Sequence, residues 1–138
     1  MELLTYPKSE YLLEASLESL HQESQEWLNE IEFWADEMAF FFTLLHKKEV
    51  RETFPSEELA DLEKELIRIH GDRLDTIKSS VQRHERILAA VLKTTSLQEE
   101  ESYRTTHRQL LMEIYALQLL VRNFKKTVFS FAKNYESN

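Results

Sequence analysis

The sequence predicts an all-α protein, an elongated antiparallel up-down-up bundle of three long helices. Three observations predict it: the 138 residues include one glycine and two prolines, apolar residues recur in alternating steps of three and four, and helix-breaking signals are few. β-Sandwiches, barrels and phosphate-binding loops need glycine for positive φ and proline for fixed φ. The composition therefore disfavours these folds and favours long helices joined by few turns.

Three breaks in the sequence bound the predicted helices, at about 10–50, 56–95 and 99–135. Pro7 in "YPKS" precedes the first helix. Pro55 in "TFPSEE" disfavours helix at the residue before it, and we expect Ser56 to cap the second helix. In "KTTSLQEEES" either Ser96 or Ser102 is a candidate cap for the third helix. Short connections of this kind make consecutive helices antiparallel.

The chain is long enough to bury a core of its own, and its apolar content of 42% fits a globular protein. We therefore expect a single helical-bundle domain over residues 1–138, in which residues 1–9 form an N-terminal extension.

Heptad spacing places one apolar seam along each predicted helix, as left-handed helix packing requires. In the first helix the seam consists of Leu13, Leu17, Leu20, Ser24, Trp27, Ile31, Trp34, Met38, Phe41 and Leu45. In the second it consists of Leu59, Leu62, Leu66, His70, Leu74, Ile77, Val81, His84, Leu88 and Val91. In the third it consists of Tyr103, His107, Leu110, Ile114, Leu117, Val121, Phe124, Val128, Phe131 and Tyr135. Three successive steps of four in the second seam surround Gly71, so we expect a kink or a break there.

Aromatic residues widen the seam of the first helix on both flanks. Phe33 and Phe40 lie on one flank, Phe42 on the other, and Trp34 lies in the seam between them. This excess of apolar surface predicts a homo-oligomer, for example a dimer that forms a larger bundle, or a protein partner. The alternative is that one three-helix core uses all of this surface.

Glu37 lies inside the apolar arc of the first helix, and Glu30 and Glu23 lie at steps of seven from it on nearly the same stripe. An unpaired carboxylate there would be costly, so we expect a partner or an opening. In an antiparallel hairpin His70 comes level with Glu37, and Arg122 is a looser partner for Glu30. One interpretation is a pair that fixes helix register. The other is a polar pocket or a metal site, with Glu37, His70 and Glu30 as candidate ligands.

The motifs of known enzymes are absent from the sequence. There is no cysteine, P-loop, dinucleotide fingerprint or His-Glu-x-x-His zinc motif. Di-iron bundles use two Glu-x-x-His motifs, and here "ESLH", from Glu18 to His21, is the only one. No histidine is followed four residues later by a histidine or a glutamate. We therefore expect no enzymatic activity and no cofactor.

Charge and hydropathy limit the classes of partner. A net charge of −8 repels phosphate backbones, so nucleic acid is not an expected partner. No stretch reaches the roughly 18 uncharged apolar residues of a membrane span, so no membrane partner is expected either. The N-terminus lacks the basic and apolar regions of a signal peptide, and the absence of cysteine suits a reducing compartment. The predicted location is cytoplasmic.

The stretch "EWLNEIEFWADEMAFFFTLL" (26–45) resembles the first helix of small uncharacterised bacterial helical-bundle proteins. These carry a Trp-Leu-x-Glu-(Ile/Leu)-x-Phe pattern followed by Asp-Glu. The residues that match are Trp27, Leu28, Glu30, Ile31, Phe33, Asp36 and Glu37. The resemblance covers about one helix, implies a bacterial cytoplasmic helical protein, and supplies no catalytic residues.

From these features the sequence predicts a non-enzymatic interaction or scaffold protein that self-associates through aromatic-rich helix faces. The alternative is a metal- or small-ligand-binding bundle that uses carboxylates and histidines in its core. An exposed apolar patch favours the first function, and a convergence of carboxylates or histidines favours the second.

Overall fold

The computed structural model describes residues 16–94 and 96–136, with side chains up to residue 134. Every regular element in these ranges is helical, so the prediction of an all-α protein is confirmed. The elements are α1 (Leu17–Leu45), α2 (Lys48–Thr53), α3 (Ser56–Arg68), a π-helical turn (Ile69–Leu74), α4 (Asp75–Val91) and α5 (Leu97–Glu136). Residues 1–9, the predicted extension, and residues 10–15 of the first predicted helix lie outside the described ranges.

The chain turns earlier after α1 than the sequence predicts. The amides of His46 and Lys47 donate to the carbonyls of Thr43 and Leu44, three residues back, at 3.2 Å. This tighter bonding ends α1 at Leu45, and the short helix α2 follows in place of the continuous helix predicted to residue 50. The sequence carries no glycine or proline at this turn, so local signals do not indicate it.

A charged cluster holds α2 against α3. The guanidinium of Arg51 donates to the carboxylate of Glu63 at 2.6 Å, and His46 lies 3.4 Å from the same carboxylate. The Arg51 hydrogen bond lowers the pKa of Glu63 below its usual value, and the charge of His46 adds to that effect. The turn after α1 is therefore fixed by side chains on both sides of the Pro55 break.

The two predicted helix caps have different outcomes. The helix α3 begins at Ser56 itself, and Pro55 takes the cap position without a side-chain hydrogen bond, so Ser56 is not the cap. At the start of α5 the Ser96 hydroxyl accepts a hydrogen bond from the Glu99 amide at 3.3 Å. Of the two candidates for that end, Ser96 is therefore the capping residue.

The predicted irregularity around Gly71 is a π-helical turn rather than a break. The buried positions run Leu62, Leu66, Ile69 and Leu74, so a step of three and a step of five replace two of the predicted steps of four. A π-helical turn contains one more residue than an α-helical turn, so the residues after its start are rotated and a different one of them is buried. His70, which the heptad spacing places in the seam, is therefore exposed, and Ile69 is buried instead.

The chain divides into two compact units that each draw on several helices. The first comprises Met1–Ile31 and Thr76–Ala116, and the second comprises Glu32–Asp75 and Leu117–Asn138. Each unit has an apolar core built from seam residues. The core of the first unit includes Leu20, Trp27, Ile31, Ile77, Val81, Leu88, Tyr103, Leu110 and Ile114. The core of the second includes Trp34, Met38, Phe41, Leu59, Leu66, Leu74, Val121, Phe124 and Val128.

None of the helices in the described ranges has both the length and the apolar character needed to cross a membrane.

Candidate functional site

Three phenylalanine side chains, here called the aromatic face, form an exposed surface on the second unit. Phe33 and Phe40 of α1 are 56% and 63% exposed, and Phe129 of α5 is 61% exposed. Phe33 and Phe40 are two helical turns apart and therefore share one side of α1. The rings of Phe40 and Phe129 both contact the buried ring of Phe41, with centroid distances of 5.6 and 6.1 Å. The buried ring of Phe41 thus links the exposed ring of Phe40 on α1 to that of Phe129 on α5.

The other two residues predicted for interaction lie elsewhere. Trp34 is 3% exposed because it occupies a seam position, so its ring belongs to the core and is not available to a partner. Phe42 is exposed on the opposite flank of α1, where it lines a cleft of about 360 Å³ together with Ile67 and His70. Of the predicted set, only Phe33 and Phe40 lie on the aromatic face.

Glu37 lies between Phe33 and Phe40 on α1 and is paired with Lys125 of α5. The Lys125 ammonium donates to both carboxylate oxygens, at 3.0 and 3.2 Å, and both side chains are half-buried. The expected pairing with His70 is therefore wrong. The stripe that carries Glu37 faces α5, while the π-helical turn moves His70 to an exposed position.

The candidate metal ligands do not form a cluster. Glu37 is engaged by Lys125, and His70 lines the cleft on the other flank of α1. Glu30 is half-buried in the first unit, whereas Arg122 is exposed in the second, and their pairing stays a prediction. Across residues 16–94 and 96–136, no three His, Asp or Glu side chains converge as metal ligands would.

The first unit contains a buried chain of hydrogen bonds, here called the histidine chain, that consists of Glu23, His107 and His84. His107 Nε2 lies 2.7 Å from a carboxylate oxygen of Glu23, and His107 Nδ1 lies 2.9 Å from Nε2 of His84. Both imidazoles are fully buried. Each is also covered by an aromatic ring: Trp27 stacks on His107 at 4.5 Å and Tyr103 stacks on His84 at 4.1 Å.

The carboxylate of Glu23 can only accept hydrogen bonds, and this determines which nitrogen of each imidazole carries a proton. His107 must donate from Nε2, so its Nδ1 accepts when the ring is neutral, and His84 Nε2 then donates to it. This leaves Nδ1 of His84 as a lone pair, and no partner for that atom lies within the described residues. The chain therefore ends in an unpaired basic nitrogen inside the core.

More unpaired polar atoms lie in the same unit. The Trp27 indole N–H and one oxygen of Glu85 are buried without a partner among the described residues, and the buried hydroxyls of Ser24 and Tyr103 interact with each other. An unpaired buried polar group costs about 1–3 kcal/mol, so the three unpaired atoms of Trp27, His84 and Glu85 would together offset much of a typical domain's stability. The core of the first unit is therefore suited to hold small polar molecules, ordered water included.

Burial shifts the titration of two of these groups. Burial, together with the smaller effect of neighbouring His107, lowers the pKa of His84 to about 4. Burial also raises the pKa of the Tyr103 hydroxyl above its usual range, and the Glu85 carboxylate adds to that rise. A base is most effective when its pKa lies near the working pH, so a neutral His84 with a pKa near 4 suits a structural or binding role better than proton transfer at pH 7.

In comparisons with family models, curated proteins and solved structures, no match to this chain was found. The resemblance of the first helix to small bacterial helical proteins therefore stays an expectation. Function has to be argued from the aromatic face and the histidine chain themselves.

Proposed function

We propose that this protein is a non-enzymatic helical interaction protein that self-associates through its aromatic face. The observation that carries the proposal is the position of three phenylalanine rings, each more than half exposed, on one side of the second unit. Single exposed apolar residues are common on protein surfaces, but a contiguous aromatic patch is typical of an interface. Aromatic residues also dominate the energetics of known interfaces.

The arithmetic of burial supports a modest affinity. Fully burying a phenylalanine contributes roughly 1.5–3 kcal/mol, so covering the exposed parts of the six rings that two copies bring together contributes about 5–10 kcal/mol. The loss of translational and rotational freedom on association costs at least about 4 kcal/mol and offsets much of this gain. An interface of about 7 kcal/mol has a dissociation constant near 10 μM. The aromatic face therefore supplies much of a micromolar contact, and surrounding contacts must supply the remainder.

We expect the wild-type protein at about 100 μM to show twice the chain mass of 16.5 kDa by light scattering after size exclusion. Phe33→Gln with Phe40→Gln removes two of the three exposed rings and should return the mass to that of one chain. Phe42→Gln is the matched control, because it removes an exposed phenylalanine from the opposite flank of α1. A wild-type monomer at this concentration, or a double variant that remains dimeric, would refute the proposed function.

The up-down-up arrangement, and a larger bundle formed on dimerisation, belong to the same proposal. The contacts of α1 with α5 in the second unit support it. Glu37 pairs with Lys125 and Phe41 contacts Phe129, and both pairs are 88 residues apart, as expected for parallel first and third helices. A cytoplasmic location is part of the same proposal, and the absence of cysteine and the resemblance of the first helix support it.

A second candidate function is the binding of a small polar ligand in the first unit. The unpaired polar atoms beside the histidine chain favour it, because they offer both a donor and acceptors, and because His84 and Tyr103 line a cleft of about 280 Å³. Native mass spectrometry should then find an excess mass on the folded chain that is lost on unfolding. The variant Tyr103→Phe with Ser24→Ala removes two of the polar atoms and should reduce the bound fraction. A folded mass equal to that of the chain alone would exclude this function.

A further inference from the structure

The surroundings of the aromatic face are divided by charge. On α1 the exposed acids Glu32 and Asp36 lie beside the aromatic face, and on α5 the exposed bases Arg122 and Lys126 do. Within the described part of the chain these four side chains take part in no ion pair. The surface therefore has an acidic half on α1 and a basic half on α5, although the whole chain carries a net charge of −8.

The spacing of these charges matches that of the phenylalanines. Asp36 is three residues after Phe33 and four before Phe40, so it lies along the same side of α1. Lys126 is three residues before Phe129, and Arg122 is seven before it, on the corresponding side of α5. Each half thus presents phenylalanine and one sign of charge.

The boundary between the halves is neutral. The Glu37–Lys125 pair lies where α1 meets α5, and its two charges satisfy each other within the chain. The charges that remain for a partner are therefore the acids Glu32 and Asp36 on α1 and the bases Arg122 and Lys126 on α5.

Two symmetric arrangements can place this surface against a second copy. A two-fold axis across the helices sets α1 against α1 and α5 against α5, so that like charges oppose each other in both contacts. A two-fold axis along the helices sets α1 of each copy against α5 of the other, so that acids oppose bases in both contacts. Like charges across an interface disfavour binding, and opposite charges favour it and fix the register.

We propose that the aromatic face binds a second copy of this chain about a two-fold axis along the helices, with α1 of each copy against α5 of its partner. This inference rests on the proposed function and adds the orientation of the two copies and the opposite charges that pair between them. The phenylalanines supply apolar contact area. The acids on α1 and the bases on α5 favour this pairing and disfavour the two-fold axis across the helices.

A charge-exchange experiment tests this pairing. The first variant is Glu32→Lys with Asp36→Lys, which makes both halves basic, and the second is Arg122→Glu with Lys126→Glu, which makes both halves acidic. Each alone should dimerise at least tenfold more weakly than the wild type. An equal mixture should form the mixed dimer with an affinity close to that of the wild type, and native mass spectrometry resolves it by mass.

The controls separate local charge from net charge. Glu26→Lys with Glu113→Lys changes the net charge as much as the first variant does, at exposed positions in the first unit, and should leave dimerisation unchanged. If each variant dimerises as tightly as the wild type, or the mixture pairs more tightly than the wild type, the proposed pairing is wrong. Neither result affects the proposed function, which fails only if the wild type is a monomer or the phenylalanine variant remains a dimer.

Discussion

The free energy of unfolding should fall by on the order of 3 kcal/mol as the pH falls from 6.5 to 4, because burial holds the pKa of His84 near 4. Above pH 6.5 this imidazole is neutral in both the folded and the unfolded chain, so it does not affect stability. Between the two values the unfolded chain binds the proton more readily, and stability is lost as the pH falls. Urea unfolding at several pH values across this range measures the effect.

The environment of His84 explains why the folded protein resists its protonation. A proton on Nδ1 of His84 would find no acceptor among the described residues, and the charge would lie against His107. The ring of Tyr103 excludes water from one face of the imidazole. Glu23 reaches this site only through His107, so no carboxylate is bonded directly to His84.

The variant His84→Leu isolates this contribution. It removes the group while leaving Glu23, Glu85 and His107 in place, so its stability should depend on pH more weakly by the same amount. Leu88→Ala, which removes a buried side chain that does not ionise from the same helix, should lower the stability but retain the wild-type pH dependence. If the free energies of unfolding of the wild type and of His84→Leu change with pH in parallel, His84 is not the cause of the pH dependence.

Much of the burial pattern follows from the sequence, because the seam depends only on the helical repeat. In α5 the predicted positions from Tyr103 to Val128 are all buried, and in α1 so are those from Leu20 to Leu45. Leu13 and Tyr135, the outermost predicted positions, lie outside the side chains described. The repeat predicts which face of a helix is buried without any knowledge of its partner.

The way in which a helix accommodates one extra residue is harder to predict from the sequence than the burial pattern is. The stutter near Gly71 indicates that the repeat changes there, but several local geometries can absorb such a change. The π-helical turn absorbs it by burying Ile69 and exposing His70. The predicted pair of Glu37 with His70 fails for this reason.

Register between helices is the second limit of sequence reasoning. A heptad pattern repeats along the helix, so a shift of one or two turns leaves the same residue types facing each other. The exact offset that pairs Glu37 with Lys125 depends on the lengths of the intervening turns, including the unmarked turn after Leu45. The half-buried charge of Glu37 is predictable, but its partner is not.

The histidine chain shows the same limit in the first unit. The heptad seam places His84 and His107 toward the core, and both are buried. It does not indicate that the two imidazoles meet, or that Glu23 closes the chain, because both contacts depend on register. The one available signal is the spacing of Glu23, Glu30 and Glu37 at steps of seven, which places carboxylates along one stripe of α1.

Replacing His107 by leucine should lower the free energy of unfolding by about 3–5 kcal/mol, a large part of the stability of a typical domain. The substitution removes the acceptor for His84 Nε2 and the donor to Glu23, so a buried N–H and a half-buried carboxylate lose their partners. It also removes the ring that stacks on Trp27. Unpaired buried groups cost more than the lost bonds themselves contribute. Urea unfolding at pH 7 measures the difference.

A double-mutant cycle separates the histidine pair from general damage to the core. His84→Leu in the background of His107→Leu removes the unpaired imidazole, so the double variant should lose about 1–3 kcal/mol less than the sum of the two single losses. His21→Leu should cost less than about 1 kcal/mol, because its pairing with Glu85 is half exposed to solvent. Additive losses at His84 and His107 would mean that their hydrogen bond contributes nothing, and that the buried imidazoles act only as fillers of volume. Non-additive losses, together with the predicted pH dependence, would make the histidine chain a polar element that specifies the core of the first unit.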